Sequence, residues 1–260
     1  WITTALYDKG RARSQEAREA RLAKAGWVDA VLGFATRPLS LSQRAIVMKD
    51  VKTFFRDPGQ WSQLLLVGSI VVISLVSVAA LPVDVVRGPW MGTFRNVLAF
   101  AVLGLVGFVM AALAARFLFT AVSMEGRAWW LVRSSPMTAR EYLWSKVLPG
   151  LVPMIFVGEI LAITSTWILG AGPFLMAVAS GTALFLSLGI AGIAVGMGAM
   201  FPDFKVDNAA RAASGPQGVL FMVVSLSLVF AVIAIEAYPV YLVLASEVTM
   251  SVLIFLISMV

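Results

Sequence analysis

The chain has 260 residues, 60% of them hydrophobic and 13% charged, with a formal net charge of +6 and neither cysteine nor histidine. The missing Cys and His exclude disulfides, thiolate and imidazole metal centres, cysteine nucleophiles and the commonest general base. So apolar a composition fits a polytopic helical membrane protein, in which an excess of positive charge reflects loops on one side of a bilayer and is no sign of a nucleic-acid partner.

Residues 1–38 read as a cytoplasmic basic linker helix: after Lys9, Arg11 and Arg13, Glu16 and Glu19 stand near Arg18 and Arg21, the pattern of a solvated helix. Residues 39–58 read as an amphipathic interfacial helix. Leu41, Ala45, Met48 and Phe55 recur near helical spacing beside Arg44, Lys49, Lys52 and Arg56, as in a helix lying in the headgroup layer before the chain enters the membrane. Residues 59–260 then read as a six-helix transmembrane domain. Long uncharged stretches, such as the one between Asp57 and Asp84, reach the roughly 20 residues that cross a hydrocarbon core, and no barrel-type alternation is present. Helices are predicted near 61–81, 96–118, 148–169, 174–200, 218–236 and 240–260. Pro58, Pro82, Pro173, Pro202 and Pro239 mark boundaries. Pro149 and Pro153 fall in the first turns of the third helix, where Pro153 is expected to bend it. With six spans, 18 of the 20 Lys and Arg lie on one side, which places the N-terminus of this chain in the cytoplasm. The chain starts at Trp1 without an initiator Met and ends inside an apolar run, as a piece of a longer polypeptide would.

The connection 120–146 is the most informative polar stretch. Glu125-Gly126-Arg127 allows a break at the glycine, a short helix presents Trp129, Trp130 and Leu131 and ends near Arg133, and Pro136 interrupts it. Thr138 with Glu141 three residues on is a capping-box pattern for the next helix. Aromatic side chains beside arginines suit a docking surface; an aromatic belt at the lipid surface accounts for the same Trp residues.

The order Glu125-Gly126-Arg127, short helix, Ser134-Ser135-Pro136-Met137-Thr138, then Lys146 leading into a membrane helix, resembles the transmembrane subunit of type V, or ABC-2-like, ATP-binding-cassette exporters. Gly198-Ala-Met-Phe-Pro-Asp-Phe204 and Ala212-Ala-Ser-Gly-Pro-Gln-Gly218 are similar to the end of the fourth helix and the approach to the fifth in a long-chain bacterial branch of these permeases. The resemblance implies a non-enzymatic permease in the bacterial inner membrane, the C-terminal six-helix half of a longer protein. It also implies a separate ATPase subunit, in two copies, that carries ATP and magnesium. The residues implied to couple the two are Glu125, Gly126, Arg127, Trp129, Trp130, Arg133 and Pro136, with a second contact on the Lys49/Lys52 side of the interfacial helix. No cofactor is expected in this chain, since no Gly-x-x-x-x-Gly-Lys-Ser/Thr segment is present. A secondary transporter or channel, or a non-transporting membrane anchor, are the alternatives.

Glu159 is placed about ten residues into the third helix, near mid-membrane. An ionised carboxylate there costs roughly 2.5 kcal/mol or more, so a neutral acid hydrogen-bonded to Thr164, Ser165 or Ser180 is expected, with structural or gating duty set against substrate contact. Gly181, Gly189, Gly192, Gly196 and Gly198 suit close packing of the fourth helix.

Overall fold

The computed structural model describes residues 33, 34, 36–56, 58–81, 91–204 and 209–258. Nearly all of the proposed linker helix, residues 1–38, lies outside the described residues. Among those described there is no strand. The helices are α1 (Leu41–Arg56), α2 (Pro58–Ala79), α3 (Met91–Phe117), the short α4 (Trp129–Arg133), α5 (Ala139–Ile168), α6 (Pro173–Met200), the short α7 (Ala209–Ala213) and α8 (Pro216–Ser258). Two 3-10 turns, Phe119–Ala121 and Ser123–Ala128, join α3 to α4.

Five of the helices, α2, α3, α5, α6 and α8, are long and apolar enough to cross a membrane. The expected sixth span is not seen, because α8 runs unbroken through Pro239 where a hairpin is predicted. A proline removes one backbone donor and crowds the preceding turn, but in an apolar helix neighbouring groups can absorb that loss. Its 43 residues would extend about 64 Å, roughly twice a hydrocarbon core.

The third span also begins earlier than expected, at Ala139. The Thr138 hydroxyl accepts from the Glu141 amide (3.3 Å), and the Thr138 amide donates to the Glu141 carboxylate (2.9 Å). This capping box satisfies donors that the first helical turn leaves free. Pro149 and Pro153 therefore sit ten or more residues inside α5 and not in its first turns.

Helix α3 runs through the middle of the bundle, packed against α5, α6 and α8, with Met110, Ala111 and Ala114 fully buried. From α6, Ile190, Ala191 and Ala194 meet this core. Large apolar side chains on the outside, Val72, Phe156, Phe185 and Phe230 among them, are exposed, as lipid-facing residues must be. Lipid chains are as apolar as leucine, so close packing has to supply much of the helix association. Gly198 shows how tight this is: a Cβ there would sit 2.1 Å from the Phe119 carbonyl oxygen. By contrast Gly181, Gly192 and Gly196 face open space within the described fold, so the close packing expected of them is not made there.

Candidate functional site

At the end of the bundle where α1, the 3-10 turns and the start of α5 converge, four charged side chains form a cluster. The Lys49 ammonium donates to both Glu125 carboxylate oxygens, at 2.6 and 2.7 Å, and lies 3.3 Å from the Asp50 carboxylate. Lys146 donates to the other Asp50 oxygen at 2.7 Å and to Glu125. Two cations and two anions thus alternate, and the formal charge of the group is zero. The Lys146 and Glu125 side chains are 2% and 4% exposed, so their charges have little access to water. Charges so placed persist only if each is paired and hydrogen-bonded. Burial pulls the Lys49 ammonium down, but Asp50 and Glu125 together outweigh it and hold its pKa above the ordinary lysine value.

Local backbone geometry makes the cluster possible. Gly126 adopts φ 49° and ψ −126°, a conformation that disfavours any side chain, and it kinks the chain between Glu125 and α4. Trp129 then packs inward, edge-on to Tyr142 and stacked on Phe204, both at 5.4 Å between ring centroids. The Tyr142 ring lies 5.7 Å from the Lys146 ammonium. An aromatic wall therefore closes one side of the cluster. The Gln43 amide adds a tie from α1 by donating to the Glu141 carbonyl (3.2 Å).

The residues singled out from sequence are thus divided. Glu125, Gly126 and Trp129 belong to the junction, together with Lys49, whose side chain is 48% exposed. Trp130 is 69% exposed, and Arg133 and Pro136 are also exposed. Of α1's other basic residues, Arg44 and Lys52 are half-buried and Arg56 is exposed. The Arg127 side chain lies outside the described residues. Asp50 and Tyr142 were missed. Asp50 is the one acidic residue in α1, set among four basic ones, and that isolation was the available signal.

A second polar locus lies within the spans. Ser180 donates to Glu159 at 2.7 Å, and Thr182 donates to Glu236 at 2.7 Å. Helix α6 is thereby held from α5 and from α8 by one hydroxyl each. Because α5 starts early, Glu159 is 20 residues beyond Ala139 and nine from Ile168, nearer the far end than mid-span. Glu236 of α8 is thus bonded to α6.

Five helices long and apolar enough to span a membrane are consistent with a membrane-inserted protein. Residues 1–257 match the family described as "Putative ATP-binding cassette", and the chain belongs to that family. No curated protein and no solved structure matches it. The family description names the ATP-binding cassette and not a permease. It overturns the assignment to type V exporter permeases and the permease function drawn from it, together with the transporter, channel and anchor alternatives. The expectations of a non-enzymatic chain without its own nucleotide are corrected on the same ground. The expectation of no cofactor rests on the missing phosphate loop alone.

The fit of ATP and magnesium to these residues can be tested directly. A nucleotide cassette sets a glycine-rich loop between a strand and a helix and reaches the phosphates with the lysine that follows. None of the six lysines here follows a glycine, and no strand occurs among the described residues. Lys49 and Lys146 are already held by carboxylates. No group of three or more carboxylates that could hold a metal ion occurs among the described residues. The described residues therefore do not fit that cofactor.

Proposed function

We propose that the chain serves as a membrane-embedded component of an ATP-binding-cassette system, and that the Lys49–Asp50–Glu125–Lys146 cluster is the junction through which movement at the basic end enters the spans. The observation that carries this reading is the near-complete burial of Glu125 and Lys146 between α1 and α5. A surface contact would not need to bury charge, whereas a junction that moves helices as one body benefits from a paired, water-poor link. Residues 39–58 lie along the headgroup layer in this reading, and residues 59–260 form the membrane domain. The loop 120–146 faces other subunits of the system, presenting Trp130, Arg127, Arg133 and Pro136. Those partners are other subunits or membrane components of the same system. The basic end faces the cytoplasm of a bacterial inner membrane, following the bias of Lys and Arg.

The test is nucleotide-dependent turnover of the assembled system in membranes with wild-type chain and with Glu125→Gln. The variant should lower the turnover or uncouple it from the system's output while insertion is kept. Membranes whose nucleotide-dependent activity is indifferent to this chain would remove the reading. The sixth span belongs to the same proposal, with α8 turning back at Pro239. The natural chain has no cysteine, so one cysteine placed at Leu242 or at Ser258 reports its side to an impermeant maleimide. Six spans put Ser258 in the cytoplasm; five put it outside.

A further inference from the structure

One buried group at the charge junction has no task in the arrangement seen. Tyr142 is 6% exposed, and its hydroxyl, shut off from solvent, has no hydrogen-bond partner among the described residues. Its neighbours differ. The buried hydroxyls of Thr120 and Ser145 donate to backbone carbonyls one turn back, those of Arg116 (2.6 Å) and Glu141 (3.1 Å). A tyrosine ring carries its hydroxyl too far from its own helix for that escape. Burying an unpaired hydroxyl is unfavourable, so this one raises the free energy of the arrangement that contains it.

Acceptors stand close by. Lys146 lies one turn further along α5, on the same face as Tyr142. Its ammonium is 5.7 Å from the Tyr142 ring centre and binds both Glu125 and Asp50. On Glu125 the two lysines share Oε1, whereas Oε2 receives Lys49 alone, so one oxygen has room for a further donor. Gly126, with its positive φ, is a pivot directly after Glu125. A slide of Glu125 by one helical turn toward the start of α5, about 5.4 Å, would carry its carboxylate from the ammonium to the hydroxyl. Trp129, edge-on to Tyr142, fixes the ring that would receive it.

We propose that Tyr142 is the alternate partner of Glu125: when Lys146 and Glu125 part, the Tyr142 hydroxyl donates to the freed carboxylate. This rests on the junction moving, as in the function proposed above. The hydroxyl is unpaired in one state and bonded to a charge in the other, and both effects narrow the gap between the states. Tyr142 is then a positioning residue that makes the displaced junction reachable.

The experiment places spin labels at Leu41→Cys and Leu131→Cys in the assembled system in nanodiscs, with and without ATP. It compares wild type, Glu125→Gln, Tyr142→Phe and a chain with para-aminophenylalanine in place of Tyr142. Without ATP, Tyr142→Phe should unfold at the wild-type temperature or above it, since only an unpaired hydroxyl is lost. With ATP, its ratio of displaced to resting populations should be roughly tenfold below wild type, as loss of one charge-assisted hydrogen bond implies. The para-amino variant keeps a donor at the ring tip and should restore the ratio. A wild-type ratio in Tyr142→Phe, with the shift abolished in Glu125→Gln, overturns the proposal and leaves the junction standing. A clear fall in the unfolding temperature of Tyr142→Phe also overturns it, because the hydroxyl would then be bonded in the resting state. No ATP-dependent shift in wild type removes the junction and this proposal together.

Discussion

Glutamate is used in two ways in this molecule. At the basic end Glu125 is met by two ammonium groups, with Asp50 balancing the second. Within the spans Glu159 and Glu236 are each met by one hydroxyl, from Ser180 and Thr182 of the same helix. The first arrangement keeps charge and neutralises it locally. The second supplies one hydrogen bond and no counter-charge. Breaking one member of a buried ion cluster strands a charge, whereas removing one hydroxyl contact in lipid forfeits a modest bond. The two regions should therefore fail at very different cost.

The largest effect is expected from Glu125→Gln, which leaves Lys146 short of a buried partner. Loss of about 3–5 kcal/mol should be seen in unfolding in mixed detergent. Glu125→Gln combined with Lys146→Met should recover much of that loss, since the stranded ammonium is gone. A double variant as weak as the single one would mean that packing around Gly126, and not charge, holds the junction.

Glu159→Ala should cost about 1 kcal/mol, whereas Glu159→Gln should be close to neutral, because an amide can still accept from Ser180. If Gln abolishes function while Ala leaves assembly untouched, the carboxyl has a chemical task. Thr182→Val should cost less, about 0.6 kcal/mol, since that hydroxyl is shared between Glu236 and the Val178 carbonyl (2.8 Å). A loss as large as that of Glu125→Gln at either site would erase the contrast between the two regions.

The smallest effect is on pH. The folded-state pKa of Lys49 is raised, so its contribution is complete below the ordinary lysine value and is lost as pH rises through the higher folded value. Attachment of α1, followed by fluorescence quenching from a label at Leu41, should weaken only in strongly alkaline buffer. Release near neutral pH would contradict the pairing of Lys49.

Much of the frame is legible from apolar runs, because lipid demands about 20 residues of one character and proline or glycine at the ends. The Thr138–Glu141 cap and the break at Gly126 could be read from spacing alone. The cluster could not. Lys49 and Lys52 look equivalent along the sequence, and only the fold turns Lys49 toward Glu125, 76 residues away. The pairing of Asp50 with Lys146 is 96 residues long and leaves no periodic trace. Pro239 is a different case: expected to end a helix, it lies inside a continuous, mostly apolar one. Family membership was misread because short motifs in the 120–146 loop, at 198–204 and at 212–218 resembled a permease, while the match over 1–257 lies with the cassette family.

The most direct measurement is the distance between spin labels at Leu41→Cys on α1 and Leu131→Cys on α4, in the assembled system, with and without ATP. Both positions are exposed, and the chain carries no other cysteine. If the charge junction carries nucleotide-dependent movement into the spans, ATP should shift the distance distribution in wild type, and Glu125→Gln should broaden it and abolish the shift. An identical distribution in both proteins, with and without ATP, would contradict the junction as the route of coupling.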